Sequence, residues 1–301
     1  QFISSLLPEK PIDELYTVLG RARQGKTERA RALYAYLKKN HDKFEHAPGE
    51  RGLVMLVFTL PNYSLVLKVI RDHFGHTKNI SREQVKSKYK LVFHHDRAGR
   101  LIDTQEFRNI EFPVSKFDDE LLKDLLKSAS KTVRLKDGKV IIDHLYSERK
   151  LTPLNIYLKQ KDMQESVQAI LDYGQAIKDL ALTNIFPGDF LLKNFGVTRQ
   201  GRVIFYDYDE ICIMNERNFR ALPKSDDPYA IDTLSVAPND VFPEQFEHFI
   251  VGKRKFKDIL KSLHGDLMTP EYWHEVQKKC ARGDVQHFTP YRANRRFDRD
   301  E

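Results

Sequence analysis

Three residues, Asp189, Asn194 and Asp207, have the types and the spacing needed to move a phosphoryl group. Asn194 lies five residues after Asp189, and Asp207 follows thirteen further on, behind a stretch that reads as two short strands. One loop can place a base and a metal ligand about a single nucleophile only if they are a few residues apart. A second metal-binding carboxylate must be folded back to them by a hairpin. In such a set Asp189 takes the proton of an attacking hydroxyl, and Asn194 and Asp207 hold a divalent cation on the phosphate. A lone loop aspartate is usually a turn former. The ordered triple is a more specific signal.

Lys68 interrupts an apolar run between Leu67 and Val69. A buried ammonium is costly unless it meets negative charge. It is therefore either the strand lysine that neutralises the α- and β-phosphates of a nucleotide or an outward-facing lysine on an edge strand. Just upstream, Ala47-Pro48-Gly49-Glu50-Arg51-Gly52-Leu53 precedes a strand, where glycines let backbone N–H groups approach phosphate oxygens. Its two glycines do not complete a Gly-x-Gly-x-x-Gly, and a simple turn is the competing reading. Asp207 and Asp209 alternate about Tyr208, so on extended backbone they face one way, as a pair that invites a cation or raises one member's pKa. His94, His95 and Asp96 read as surface residues at a helix end.

The elements that must position these groups are legible in part. Residues 11–44 carry apolar residues at helical spacing, interrupted near Gly25. Leu53–Leu60 and Leu65–Ile70, joined by Pro61-Asn-Tyr-Ser64, predict a hairpin carrying Lys68. Ser81-x-x-Gln84 predicts a capped helix that ends before Gly99, and another helix is expected over Asp118–Ser130. Lys139–Ile142 and His144–Tyr146 read as a strand running into a connector, and Pro153 opens a helical turn. A stripe from Val167 to Ala181 predicts a helix over Gln164–Leu182, ended by Thr183–Gly188. Phe195–Tyr206 reads as two strands around Arg199-Gln-Gly201, delivering Asp207. Residues 210–245 are expected to be mostly irregular, with helical pattern returning around Phe246 and Leu260.

The 301 residues, 41% hydrophobic, suffice for a two-lobed domain with a core. The longest apolar run, Leu53–Leu60, is too short to cross a bilayer, and no signal pattern opens the chain. Cys212 and Cys280 are too few for a disulfide framework or zinc site, so a cytoplasmic, reducing compartment is expected. The net charge of +7 suits an anionic partner, but the basic residues are mixed with acidic ones apart from Arg292, Arg295, Arg296 and Arg299. No nucleic-acid motif accompanies them, and the tail reads as a solvated end. The chain opens on Gln1, from which a longer parent protein is expected.

Arg51–Pro61, Asp103–Phe107, Glu148–Asn155, Asn184–Asp189, Lys193–Thr198 and Phe205–Ile211 together make the chain resemble the isocitrate dehydrogenase kinase/phosphatase family over most of its length. The resemblance implies an α+β, two-lobed protein-kinase-like fold, with a small β-rich N-lobe (47–146), a mostly helical C-lobe (147–301), and helices of a regulatory domain before them (1–46). It implies that Ala47–Leu53 and Lys68 bind ATP, that Asn194 and Asp207 hold Mg2+ or Mn2+, and that Asp189 is the kinase base. Asp103 matches an active-site aspartate of the family, and Asp209 an acidic residue implicated in its phosphatase action. The implied activity is phosphorylation of a serine of isocitrate dehydrogenase, which inactivates it and sends isocitrate into the glyoxylate bypass, and removal of that phosphate. AMP and ADP are implied as regulators. A homodimer is left open, and neither nucleic acid nor a membrane is implied as a partner. Phe186-Pro-Gly-Asp189 stands where ordinary kinases have His-Arg-Asp, and Asp207-Tyr-Asp209 where they have Asp-Phe-Gly. The carboxylate that pairs with Lys68 is open between Glu83 and Glu106. A small-molecule kinase of the aminoglycoside type is the alternative, since it too uses Gly-Asp with an Asn five residues on.

Overall fold

β-Branched runs and amphipathic stretches account for most of the residues described by the computed structural model, which are 25–75, 80–95, 98–222, 236–249 and 254–285. In chain order the elements begin with α1 (Gly25–Lys39), β1 (Glu45–His46), β2 (Met55–Thr59), β3 (Leu65–Ile70), α2 (Arg82–His95) and β4 (Gln105–Pro113). Next come α3 (Asp119–Ser128), β5 (Val133–Lys136), β6 (Lys139–Arg149), β7 (Thr152–Pro153), α4 (Leu154–Gln160), α5 (Met163–Leu182) and β8 (Ile185–Phe186). The remainder is β9 (Phe195–Val197), β10 (Val203–Phe205), β11 (Cys212–Ile213), β12 (Asn218–Phe219), β13 (Asp240–Val241), α6 (Phe246–Phe249), α7 (Arg254–His264) and α8 (Pro270–Ala281).

The chain groups into two compact units. One takes in the described residues up to Pro48, with Met55–Asp72 and Gln105–Ser147. It is built on an antiparallel sheet of order β1-β2-β3-β6-β4, to which β5 adds along β6. The expected hairpin forms, with β2 and β3 paired from Met55↔Ile70 to Thr59↔Val66. Both strands are apolar almost throughout because both of their faces are covered. Leu33 and Leu37 of α1 and Leu121 and Leu125 of α3 close the core over Phe44, Phe58, Phe112 and Phe117. Asp118 caps α3 by accepting from the Glu120 N–H. The strands β4 and β5 were not signalled by alternation. In β4 the charged Glu106, Arg108 and Glu111 are interleaved with apolar residues, and Asn109 takes φ 52°, yet the strand pairs along β6 from Gln105↔Ser147 to Pro113↔Lys139. For the same reason β6 is one strand rather than a strand followed by a connector.

The other unit takes in Gly49–Val54, the described residues from His73 to Thr104, and those from Glu148 onward. The predicted capping box of α2 is reciprocal: the Ser81 N–H donates to Gln84 Oε1 (2.7 Å) and the Gln84 N–H to Ser81 Oγ (3.2 Å). Helix α5, capped by Asp162, buries Ile170, Tyr173, Ile177, Leu180 and Ala181. It packs α7 so closely that a Cβ on Gly174 would lie 2.3 Å from the His264 ring. Phe186, Phe190, Phe219, Phe246 and Tyr272 surround the fully buried Trp273, the one tryptophan of the chain. Three small sheets complete this unit: β10-β9-β7, β11-β8, and a parallel β12-β13 pair within the stretch expected to be irregular. The architecture is thus mixed α and β. Among the described residues no helix is long and apolar enough to cross a membrane. The residues before Gly25, Asp96 and the arginines beyond 285 lie outside the described residues, and His94 is exposed.

Candidate active site

The loop that carries Asp189 is fixed on both sides. After α5, Asn184 turns the chain at φ 67°, and β8 pairs with β11 through Phe186↔Cys212 and Ile185↔Ile213. Phe186 and Phe190, which bracket Asp189, both pack against Trp273 at ring distances of 5.6 and 6.0 Å. Between them Gly188 has φ 87°, and a Cβ there would lie 2.5 Å from both the Cβ and the carbonyl oxygen of Glu210. Only glycine fits such a turn pressed against backbone. Past the turn, Asp189 Oδ1 accepts from the Leu191 N–H (2.8 Å), and the Tyr173 hydroxyl donates to the Phe190 carbonyl (2.6 Å). Asn194 ends a 3-10 turn, is buried, and accepts at its carbonyl from the Tyr206 N–H (3.1 Å), while the Tyr206 hydroxyl donates to the Lys193 carbonyl.

This arrangement brings Asp189, Asn194 and Asp207 together. Burial pushes the Asp189 carboxyl above its ordinary range and the nearby Glu210 and Asp207 add to that, whereas the Leu191 N–H and the Asn194 side chain pull it down. A carboxylate so placed is a better proton acceptor than one in water. The hairpin predicted before Asp207 is present, with β9 and β10 paired from Phe195↔Phe205 to Val197↔Val203. Burial, Asp207 and Glu148 together raise the pKa of Tyr206. Glu148 is itself 1% exposed and accepts from the Thr104 hydroxyl (3.1 Å). Neither Glu148 nor Glu210 stood out in the sequence, because nothing local marks an acidic residue that will be buried by distant chain.

Asp209 and Asp103 join the same region through Tyr208. Asp207 and Asp209 are half-buried on either side of a Tyr208 that is 1% exposed, and Asp209 lies in a bend rather than on a strand. The Tyr208 hydroxyl accepts from the Ile102 N–H (2.9 Å) and donates to the Ile102 carbonyl (3.1 Å), one residue before the exposed Asp103. Leu101 bridges Phe205, and the Phe205 N–H donates to the Arg100 carbonyl (2.8 Å). The Arg100 guanidinium, 6% exposed, binds Asp172 with two nitrogens (2.8 Å each), Asp179 through Nε (2.7 Å) and the Val203 carbonyl (3.0 Å). Leaving one partner of such a buried pair alone typically costs about 3–5 kcal/mol. Arg100 therefore clamps β10 to α5.

The proposed nucleotide residues divide between the units. Ala47, Pro48 and Lys68 are in the first, and Gly49–Leu53 in the second. Residues 47–53 connect β1 and β2, with Gly49 at φ 113° and open space where its Cβ would be. Lys68 is not an outward-facing residue of an edge strand, since β3 lies between β2 and β6 and Lys68 is 5% exposed. Glu50 forms an ion pair with Lys193 (2.7 Å), which sits next to Asn194 and was not singled out in the sequence. Of the two carboxylates considered for Lys68, Glu106 is engaged by Arg108 (2.8 Å) and His144 (3.0 Å), and Glu83 is exposed on α2.

With this geometry in place, the sequence model of the isocitrate dehydrogenase kinase/phosphatase (AceK) kinase domain matches residues 42–293, and that of the regulatory domain of the same proteins matches residues 1–41. The chain belongs to the isocitrate dehydrogenase kinase/phosphatase family. An isocitrate dehydrogenase kinase/phosphatase of Pseudoalteromonas atlantica is 54% identical over 297 residues, covering 98% of this chain and 52% of the relative. One of Yersinia pestis is 45% identical over 301 residues, covering 99% and 52%. A Pseudoalteromonas translucida protein named isocitrate dehydrogenase kinase/phosphatase 2 is 44% identical over 301 residues, covering 99% and 53%. The chain spans about half the length of the curated relatives it matches. The family resemblance read from the sequence is thereby established.

A divalent cation fits the donors present. Among the described residues no three His, Cys, Asp or Glu side chains converge as a ready metal cage. The kinase-domain match implies a divalent cation, and Asn194 and Asp207 carry oxygen donors of the kind such a cation takes.

Proposed function

We propose that this chain is the catalytic portion of a bifunctional enzyme that phosphorylates a serine of isocitrate dehydrogenase with ATP, inactivating it, and removes that phosphate again. It would so govern flux between the citric acid cycle and the glyoxylate bypass, in the cytoplasm. The observation that carries the reading is the convergence of Asp189, Asn194 and Asp207 on one hairpin-backed loop in a chain of this family. We read residues 47–146 as a kinase-like N-lobe, 147–301 as the C-lobe, and 1–46 as the end of a regulatory domain.

In the forward reaction the serine hydroxyl attacks the γ-phosphorus of ATP, the bond to the bridging oxygen of ADP breaks, and Asp189 takes the hydroxyl proton. Lys68 would neutralise the α- and β-phosphates, Ala47–Leu53 would cover them, and Asn194 and Asp207 would hold the cation. That cation, when bound, offsets charge on the transferred group. Removing phosphate from the protein needs a water or an ADP acceptor at the same centre. Asp209 stands where kinases have glycine, and with Asp103 it supplies carboxylates that can orient such an acceptor and, where it is water, take its proton. Meanwhile the bond to the serine oxygen breaks and that oxygen takes a proton from Asp189.

The test is incubation of the full-length protein with labelled ATP and purified isocitrate dehydrogenase, then with the phosphorylated product. Label on the serine, released on the second incubation, is the expected result. Label on an added small amine or sugar, with none on the protein, would overturn it. In the same assay Lys68→Met is expected to lower transfer by about two orders of magnitude or more, as its charge on the phosphates is lost. Unchanged transfer at saturating ATP would remove Lys68 from this role.

A further inference from the structure

We infer that the hydroxyl of Tyr208 sets the position of Asp103 relative to Asp207 and Asp209, making Tyr208 a positioning residue for phosphate removal. The inference deepens the proposed function and rests on its assignment of Asp103 and Asp209 to dephosphorylation. Two observations carry it. First, the buried hydroxyl engages both backbone groups of one residue, Ile102, accepting from its N–H at 2.9 Å and donating to its carbonyl at 3.1 Å. Asp103 is the next residue, so its Cα is tied to the very side chain that separates Asp207 from Asp209. Second, the ring has packing of its own, edge-on to Tyr89 of α2 at 5.3 Å and tilted against Phe205 at 5.9 Å. A phenylalanine would fill the same space, so packing alone does not require the hydroxyl.

The hydroxyl also lies 3.5 Å from the Phe205 carbonyl, a long contact, but the strand contacts have backbone partners of their own. The Ile102 N–H has a second acceptor in the Phe205 carbonyl (3.2 Å), and the Leu101–Phe205 bridge does not involve Tyr208. Asp189 and Asn194 are held independently, through Tyr173, Tyr206 and the β8–β11 pair. Removing the hydroxyl should thus free the Asp103 segment while leaving the transfer residues in place. A catalytic group displaced by about 1 Å can cost about a hundredfold in rate.

The experiment uses Tyr208→Phe, Asp103→Ala and wild type in the full-length protein. Phosphate release from phosphorylated isocitrate dehydrogenase and ATP-dependent phosphorylation are measured side by side, with hydrogen–deuterium exchange of the 98–104 segment. The expected result for Tyr208→Phe is a loss of release of about tenfold or more, phosphorylation within about threefold, and faster exchange confined to that segment. If Asp103→Ala loses release selectively but Tyr208→Phe keeps the wild-type ratio or the wild-type exchange, the inference is wrong while the proposed function stands. If Asp103→Ala itself shows no selective loss, the assignment of Asp103 fails and the inference fails with it.

Discussion

Asp189→Asn is expected to lower phosphoryl transfer by about 10²–10⁴-fold while ATP binding and the fold remain. The substitution removes the proton acceptor but keeps an oxygen where Asp189 Oδ1 now accepts from the Leu191 N–H, so the turn survives. It also takes one negative charge from the neighbourhood of Glu210 and Asp207, which relieves repulsion rather than adding strain. Nucleotide contacts are assigned to Lys68, Ala47–Leu53, Asn194 and Asp207, and none of these is changed. Turnover on isocitrate dehydrogenase and calorimetric titration of ATP check the two halves. Lost ATP binding in a folded variant would give Asp189 a different role, and turnover within threefold of wild type would deny it the role of base.

The second large effect is expected from Gly188→Ala, a change of one methyl group. At φ 87° an alanine pays the left-handed penalty, and its Cβ would sit 2.5 Å from Glu210 backbone that cannot swing away. Glu210 lies just before β11, which is locked to β8 on the other side of the turn, so relief requires moving one strand or the Asp189 loop. The combined cost is about 2–5 kcal/mol, or roughly 4–20 °C in melting temperature. Because the loop that yields is the one holding Asp189, transfer should fall by about a hundredfold even where the variant is folded. The fluorescence of Trp273, on which Phe186 and Phe190 pack, reports the unfolding. A Gly188→Ala variant with wild-type melting and turnover would contradict the geometry.

What the sequence made legible was local. The β2–β3 hairpin, the Ser81/Gln84 capping box, the α5 stripe and the β9–β10 hairpin ahead of Asp207 each have a short-range signature, and each formed. The proximity of Asp189 to Asn194 follows from a separation of five residues. What escaped was long-range. Arg100 meets partners 72 and 79 residues away, and its buried pairs leave no periodic trace in the sequence. Tyr208 reaches Ile102 across 106 residues, and Glu50 reaches Lys193 across 143. The strand β4 was hidden because its charged residues and Asn109 blur the period of two, although the β6 ladder supplies the pairing energy that its own sequence does not advertise. Gly174 meets the His264 ring from a distant helix, a contact that likewise has no local trace.

Forward and reverse rates measured on the same preparations test most directly whether one centre runs both reactions. The variants are Asn194→Ala, Asp207→Ala, Asp103→Ala and Asp209→Ala in the full-length protein, assayed for phosphorylation of isocitrate dehydrogenase and for release of phosphate from it. The account predicts that Asn194→Ala and Asp207→Ala lose both activities together, since both reactions use the cation they hold. It predicts that Asp103→Ala and Asp209→Ala lose release far more than phosphorylation. Full release by a folded Asp207→Ala variant, or equal losses in both directions for all four, would contradict it.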